Sequence, residues 1–143
     1  MTAWVNPAEI AGKYRYIVSD YNTTGNVSNF SLRLSSGQGV FHWEYPAGTW
    51  TAVTTKTTLT PGRWTHLAGV WDGTLRKIFV NGALEAKDGT PQAHPSGLSQ
   101  VAIGRAGGFD GLYFNGEIDD VRIYARALGD AEVALLVKSA PRH

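Results

Sequence analysis

The sequence contains no cysteine, which excludes disulfides, thiolate metal sites and a cysteine nucleophile together. It has no long hydrophobic run either; its apolar stretches fall far short of the roughly 20 residues that a membrane-spanning helix needs. Charge of one sign is also missing. Thirteen basic and twelve acidic side chains leave a net charge of +1, so no general attraction to nucleic acid and no membrane insertion is expected. The opening residues, Met1-Thr2-Ala3-Trp4-Val5-Asn6-Pro7, lack the basic start and apolar run of a signal peptide. Location is left open: a cytoplasmic protein and a piece of a longer exported chain, which would place the domain outside the cell, read alike. At 143 residues the chain makes one domain and buries a core without covalent staples.

What is present points to β structure. Seventeen glycines accompany a charged fraction of only 17%, a balance that favours tight turns and short strands over helices. Apolar residues fall in short runs bounded by turn residues. Strands are predicted at Trp4-Val5, Tyr14–Val18, Phe30–Leu34, Val40–Tyr45, Trp50–Thr58, Trp64–Trp71, Leu75–Val80, Ala83–Ala86, Val101–Gly104 and Glu117–Tyr124. The stretch from Ser19 to Asn29 reads as a polar loop. Trp64–Trp71 is apolar on both faces and so reads as a central strand. Asn81-Gly82 is a favourable type I′ hairpin pair, because both positions want positive φ. Only Asp130–Lys138 has a helical pattern, with Gly129 at the N-cap and Glu132 supplying half of a capping box. Residues 139–143 read as a frayed tail. The expected fold is all-β, a two-sheet antiparallel sandwich or jelly roll with a short C-terminal helix.

Several ordered motifs carry a resemblance. They are Ala3-Trp4-Val5-Asn6-Pro7, Trp64-Thr65-His66-Leu67-Ala68-Gly69-Val70-Trp71-Asp72-Gly73, Ile78-Phe79-Val80-Asn81-Gly82, Ile103-Gly104 and the run from Phe114 to Leu128 with Glu132 after it. Together they resemble the laminin G-like jelly-roll domain of the concanavalin A-like lectin/glucanase superfamily over residues 1–138. The resemblance implies the fold; the same fold carries lectins, glycosidases and adhesive modules. Members of the family usually begin with a further strand and an acidic loop before the Trp-Val-x-Pro segment, where this sequence starts. An uncovered sheet edge is therefore expected, and with it a homodimer.

Three kinds of site are weighed against this background. The resemblance implies that calcium, if it binds, uses Asp119, but the usual co-ligands belong to the N-terminal segment, so calcium is possible and no cofactor is required. Glucanases of the superfamily carry alternating carboxylates on one strand, spaced for retention or inversion. Glu117-x-Asp119 is the nearest spacing here and falls in the family's last structural strand, so no enzyme is expected. His66 reads as a core histidine. For carbohydrate, aromatic rings beside polar loops are the signal. Trp50, Trp71, Phe109 and Tyr113 flank turns, and Asp20, Tyr21 and Asn22 offer polar groups. Phe41, Trp43 and Trp64 read as core. The expected function is a non-catalytic recognition module for a glycan, ahead of an adhesive or structural protein-binding domain, with a degenerate glycosidase third.

Overall fold

The computed structural model describes residues 1–22, 27–44, 50–89, 100–107 and 111–139. Ten strands are followed by one helix: β1 (Thr2–Pro7), β2 (Arg15–Asn22), β3 (Val27–Ser35), β4 (Gln38–Glu44), β5 (Trp50–Thr58), β6 (Thr65–Trp71), β7 (Arg76–Val80), β8 (Ala83–Asp88), β9 (Gln100–Ile103), β10 (Gly116–Arg122) and α1 (Asp130–Ser139). They form two five-stranded sheets, β10-β1-β6-β7-β8 and β5-β4-β3-β2-β9, whose named strand pairs are all antiparallel. This is the two-sheet jelly-roll sandwich. No helix among the described residues is long and apolar enough to cross a membrane.

The core lies between the inner faces. Ala3, Val5, Leu67, Ile78 and Val80 from the first sheet meet Ile17, Val18, Leu32, Leu34, Phe41, Trp43 and Val53 from the second. Strand β6 is central, as its unbroken apolar run predicts, and each of its faces has a separate cover. On the inside, Gly69 lets the Phe41 ring come so close that a Cβ there would lie 2.6 Å from it. On the outside, Ala68 and Val70 join Phe79, Leu128 and Val133 of α1 in a second cluster. Helix α1 starts where predicted. Gly129 donates its N–H to Glu132 at 2.7 Å, and Arg126 grips the same carboxylate at 2.6 and 2.9 Å. At the β7–β8 hairpin Asn81 and Gly82 both have positive φ, 48° and 81°, the conformation their pairing predicts.

The largest departure from the predicted elements concerns Ser19 to Asn29. Strand β2 runs on through Asn22 and β3 begins at Val27, so most of the expected loop is a hairpin. Ser19 misled because its side of the strand is covered by backbone. Ser19 donates its hydroxyl to the Arg105 carbonyl at 3.0 Å and accepts the Gly107 N–H at 2.8 Å. Trp64 is also displaced from its expected role. It precedes β6 and is half-buried, whereas Trp43 is fully buried. Residues 140–143 of the expected tail lie outside the described residues.

Candidate functional site

Residues opposite one another in an antiparallel ladder share a face, so the register of the second sheet defines its outer surface. Ser19, Ser31, His42 and Ala52 form one row across it. Tyr16, Arg33, Val40 and Thr54 form the next, and an isolated parallel bridge sets Tyr113 beside Tyr16. Trp50 lies on the same face at the start of β5, two residues before Ala52.

The floor of this surface is polar yet buried, and aromatic rings stand over it. Trp50 is 60% exposed, and its ring stacks on buried His42 with centroids 4.9 Å apart and planes 19° from parallel. The Nδ1 atom of His42 shares a hydrogen bond with the Ser31 hydroxyl at 3.1 Å, while its Nε2 has no hydrogen-bond partner among the described residues. Burial first, and then the nearby Arg33 and Arg76 cations, push the His42 pKa down to about 3. The imidazole is therefore neutral at physiological pH and serves as a flat, uncharged seat for the indole. In the neighbouring row Arg33 lies 4.1 Å beneath the Tyr14 ring and 5.4 Å from that of Tyr16, and it donates to the Tyr16 hydroxyl at 2.9 Å. Tyr113 is 50% exposed beside them. Trp50 and Tyr113 thus mark the two ends of one surface, four ladder steps or about 19 Å apart across the strands.

The other expected site residues divide. Asp20 is not a loop residue; it is buried in β2, opposite Phe30 and Val101 on the inward face, because the strand continues past Ser19. Tyr21 and Asn22 pair through their backbones with Ser28 and Val27 of β3. Phe109 lies outside the described residues. Trp71 does not join Trp50. It belongs to the opposite sheet, where its ring meets Trp43 edge-on at 5.7 Å and lines a cleft of about 520 Å³ between the sheets, with Phe30, Phe41, Tyr124 and Leu128. Its inward turn follows from the ladder: Trp71 shares the face of Leu67 and Gly69 along β6. His42, Ser31, Arg33 and Tyr14 went unnoticed in the sequence. The strict alternation of Phe30-Ser31-Leu32-Arg33-Leu34 does place Ser31 and Arg33 together on the outer face.

Metal and acid chemistry find less support. Calcium takes six to eight oxygen ligands. The Asp119 carboxylate accepts the Asp120 N–H at 2.7 Å, Asp120 is held by Arg122 at 2.7 Å, and Glu117 by Asn6 at 2.8 Å. Among the described residues no group of three or more His, Asp or Glu could hold a metal ion. His66 is buried edge-on to Trp4 at 5.4 Å. Burial above all holds its pKa near 4, with Asp120 pulling up and Arg122 and the N-terminus pulling down. It is a core histidine.

Known structures share this architecture. Domain 4 of AbnA, a GH43 extracellular arabinanase from Geobacillus stearothermophilus, in complex with arabinotriose, superposes with a TM-score of 0.77 at 24% identity, over 95% of this chain and 64% of that one. The CBM40 of the Ruminococcus gnavus IT-sialidase gives 0.78 at 18% identity, over 95% and 81%. A heptameric SAP-like pentraxin from Limulus polyphemus gives 0.74 at 21%, over 95% and 67%. The chain spans 38% of a Bacteroides ovatus protein that it also resembles, so its relatives extend well beyond the shared domain. No curated protein sequence matches it. The family model, in contrast, matches residues 1–134 in register, and the chain belongs to the concanavalin A-like lectin/glucanases superfamily.

Proposed function

We propose that the domain is a non-catalytic glycan-binding module whose site is the outer face of the β5-β4-β3-β2-β9 sheet. The observation that carries this reading is Trp50, an exposed indole held flat on a buried, neutral histidine. A ring fixed in this way presents its free face to solvent with little conformational entropy left to lose on binding. The polar floor of Ser31, His42 and Arg33 supplies the few placed hydrogen-bonding groups that fix a ligand's orientation. Domain 4 of the arabinanase, solved in complex with arabinotriose, and the CBM40 of the sialidase favour the same reading, which calls for no cofactor.

Trp50→Ala should leave the fold intact, since the side chain is mostly exposed. It should weaken glycan binding by about 1–3 kcal/mol, by analogy with the loss of a stacked base. Calorimetry against a panel of oligosaccharides, with the melting temperature measured in parallel, tests this. Binding that survives the substitution moves the site elsewhere, and a module that takes no saccharide but captures a protein is the adhesive alternative.

We also propose that a second copy covers the edge formed by β9 and β10. The opposite edge is blunted: Glu85 of β8 accepts the Lys56 and Thr57 N–H groups of β5 at 2.9 and 3.0 Å. At the β9 edge, by contrast, Val101 and Ile103 are more than half exposed although they share the inward face of Asp20 and Val18. Uncovered apolar edges invite pairing. Sedimentation at tens of micromolar should give a dimer, and Val101→Lys with Ile103→Lys should return a monomer. A wild-type species near 15.5 kDa would rule the dimer out.

A further inference from the structure

We propose that Arg33 recognises the acidic group of a saccharide, a carboxylate or a sulfate ester, so that the preferred ligand of this face is an anionic glycan. The inference rests on the glycan-binding reading above and deepens it.

Arg33 stands in the middle of β3, only 6% exposed, and a buried charge is costly unless an opposite charge meets it. Its partners are all neutral: the Tyr16 hydroxyl and the rings of Tyr14 and Tyr16. No carboxylate lies within ion-pair distance among the described residues. The domain's other deeply buried arginine differs on this point, because Arg76 is clasped by both oxygens of Asp88. Three more exposed arginines, Arg15, Arg122 and Arg126, also hold carboxylates. Arg33 is thus a buried cation set on a recognition face without an anion.

Its bonding leaves one edge in reserve. The Tyr16 hydroxyl occupies Nη1, and Nε has no hydrogen-bond partner among the described residues. Nε and Nη2 form the side-on fork of a guanidinium, and that fork matches the two oxygens of a carboxylate or sulfate. His42, one step away on the same face, adds a second ring nitrogen without a partner. The cover over this fork is strained. Tyr14, whose ring lies on the guanidinium, has φ of +63°, a left-handed conformation that costs a side-chain-bearing residue about 1 kcal/mol or more. Such strain gathers where a ligand clamp is held ready, and a rotamer change of the half-exposed Tyr14 side chain uncovers Nε.

The test titrates the whole chain with oligosaccharides matched in length: neutral xylo- and laminari-oligosaccharides, carboxylated oligogalacturonate and sialyllactose, and a sulfated oligosaccharide. An acidic member should bind at least about tenfold more tightly than its neutral counterpart, as expected for a charge-assisted pair, and that margin should shrink as salt rises. The carboxylated and sulfated arms distinguish the two sources of the anion. Arg33→Gln should erase the preference, lowering the affinity for the acidic member about tenfold more than that for its neutral counterpart. Because Arg33 is buried and its variant is at risk of misfolding, the Nε–H resonance of Arg33 in the wild-type protein gives a second readout, shifting with acidic and not with neutral ligands. Equal binding of neutral and acidic sugars, or a still Arg33 resonance on acidic binding, overturns this inference and leaves the glycan-binding reading standing. Binding of none of them removes both.

Discussion

Trp43→Ala is expected to destabilise the domain by about 3–5 kcal/mol, the cost of a large buried aromatic replaced by a cavity. Set against a total stability of roughly 5–15 kcal/mol, that loss takes the protein to the margin of folding. Trp43 is fully buried and its ring meets Phe41 at 5.6 Å, Trp71 at 5.7 Å and the Arg76 guanidinium at 4.2 Å. Contacts from both sheets therefore converge on one side chain that nothing nearby can replace. Trp64 is half-buried and lines a pocket of about 180 Å³ with Thr57–Thr60 and Arg63, so Trp64→Ala should cost under about 2 kcal/mol. Urea denaturation of the two variants decides the order. A Trp64 variant less stable than the Trp43 variant would mean that the inner face of β4 has been misassigned.

That pair of tryptophans shows what the sequence conveys and what it does not. Strand positions follow from short-range physics: β-branched runs, turn dipeptides and period-2 alternation. Strand β6, the Asn81-Gly82 turn and the half capping box of α1 were all legible on those grounds. Which of two tryptophans is buried depends on which face looks at the other sheet, and that is a long-range fact. Trp43 sits between two neighbours in β4 and its alternation with His42 does not itself say which side is inside. Ser19 shows a second limit. Its strand was hidden because a polar residue on an outer face looks like a loop until the backbone of residues 105–107 is laid over it.

The candidate site was legible in part for the same reason. Trp50 stands out in the sequence because it flanks a turn, and it is exposed. Trp71 flanks a turn equally well, yet the ladder phase of β6 turns it inward against Trp43. Arg33 and His42 escaped notice because each is ordinary in a solvent-facing register. Their significance comes from burial with one nitrogen of each left without a hydrogen-bond partner among the described residues, a property of the assembled sheet and its covering rings.

Asp88→Ala should cost about 3–5 kcal/mol, more than Arg76→Met, although Arg76 is the more deeply buried partner. Arg76 is 2% exposed, with Nε 3.1 Å from Asp88 Oδ1, Nη2 on Oδ2, and Nη1 2.9 Å from the Thr51 hydroxyl. Removing the carboxylate strands a guanidinium between the sheets with one hydroxyl and the Trp43 ring for company, and an uncompensated buried charge is what makes breaking such pairs expensive. Arg76→Met takes the charge away and leaves an unbranched apolar chain against Trp43. Asp88, with 30% of its side chain exposed, then turns to water, and the loss should stay under about 2 kcal/mol. The double variant should match Arg76→Met, because the carboxylate has no further task once the cation is gone. The pair also reaches the recognition face. Thr51 adjoins Trp50 at the start of β5, so the Asp88 variant should loosen the seat of that indole and weaken glycan binding beyond what Arg76→Met does. Denaturation midpoints of the three variants, read beside their oligosaccharide affinities, test both steps. An Arg76→Met loss larger than that of Asp88→Ala would show that the ion pair contributes net stability and does more than neutralise a buried charge.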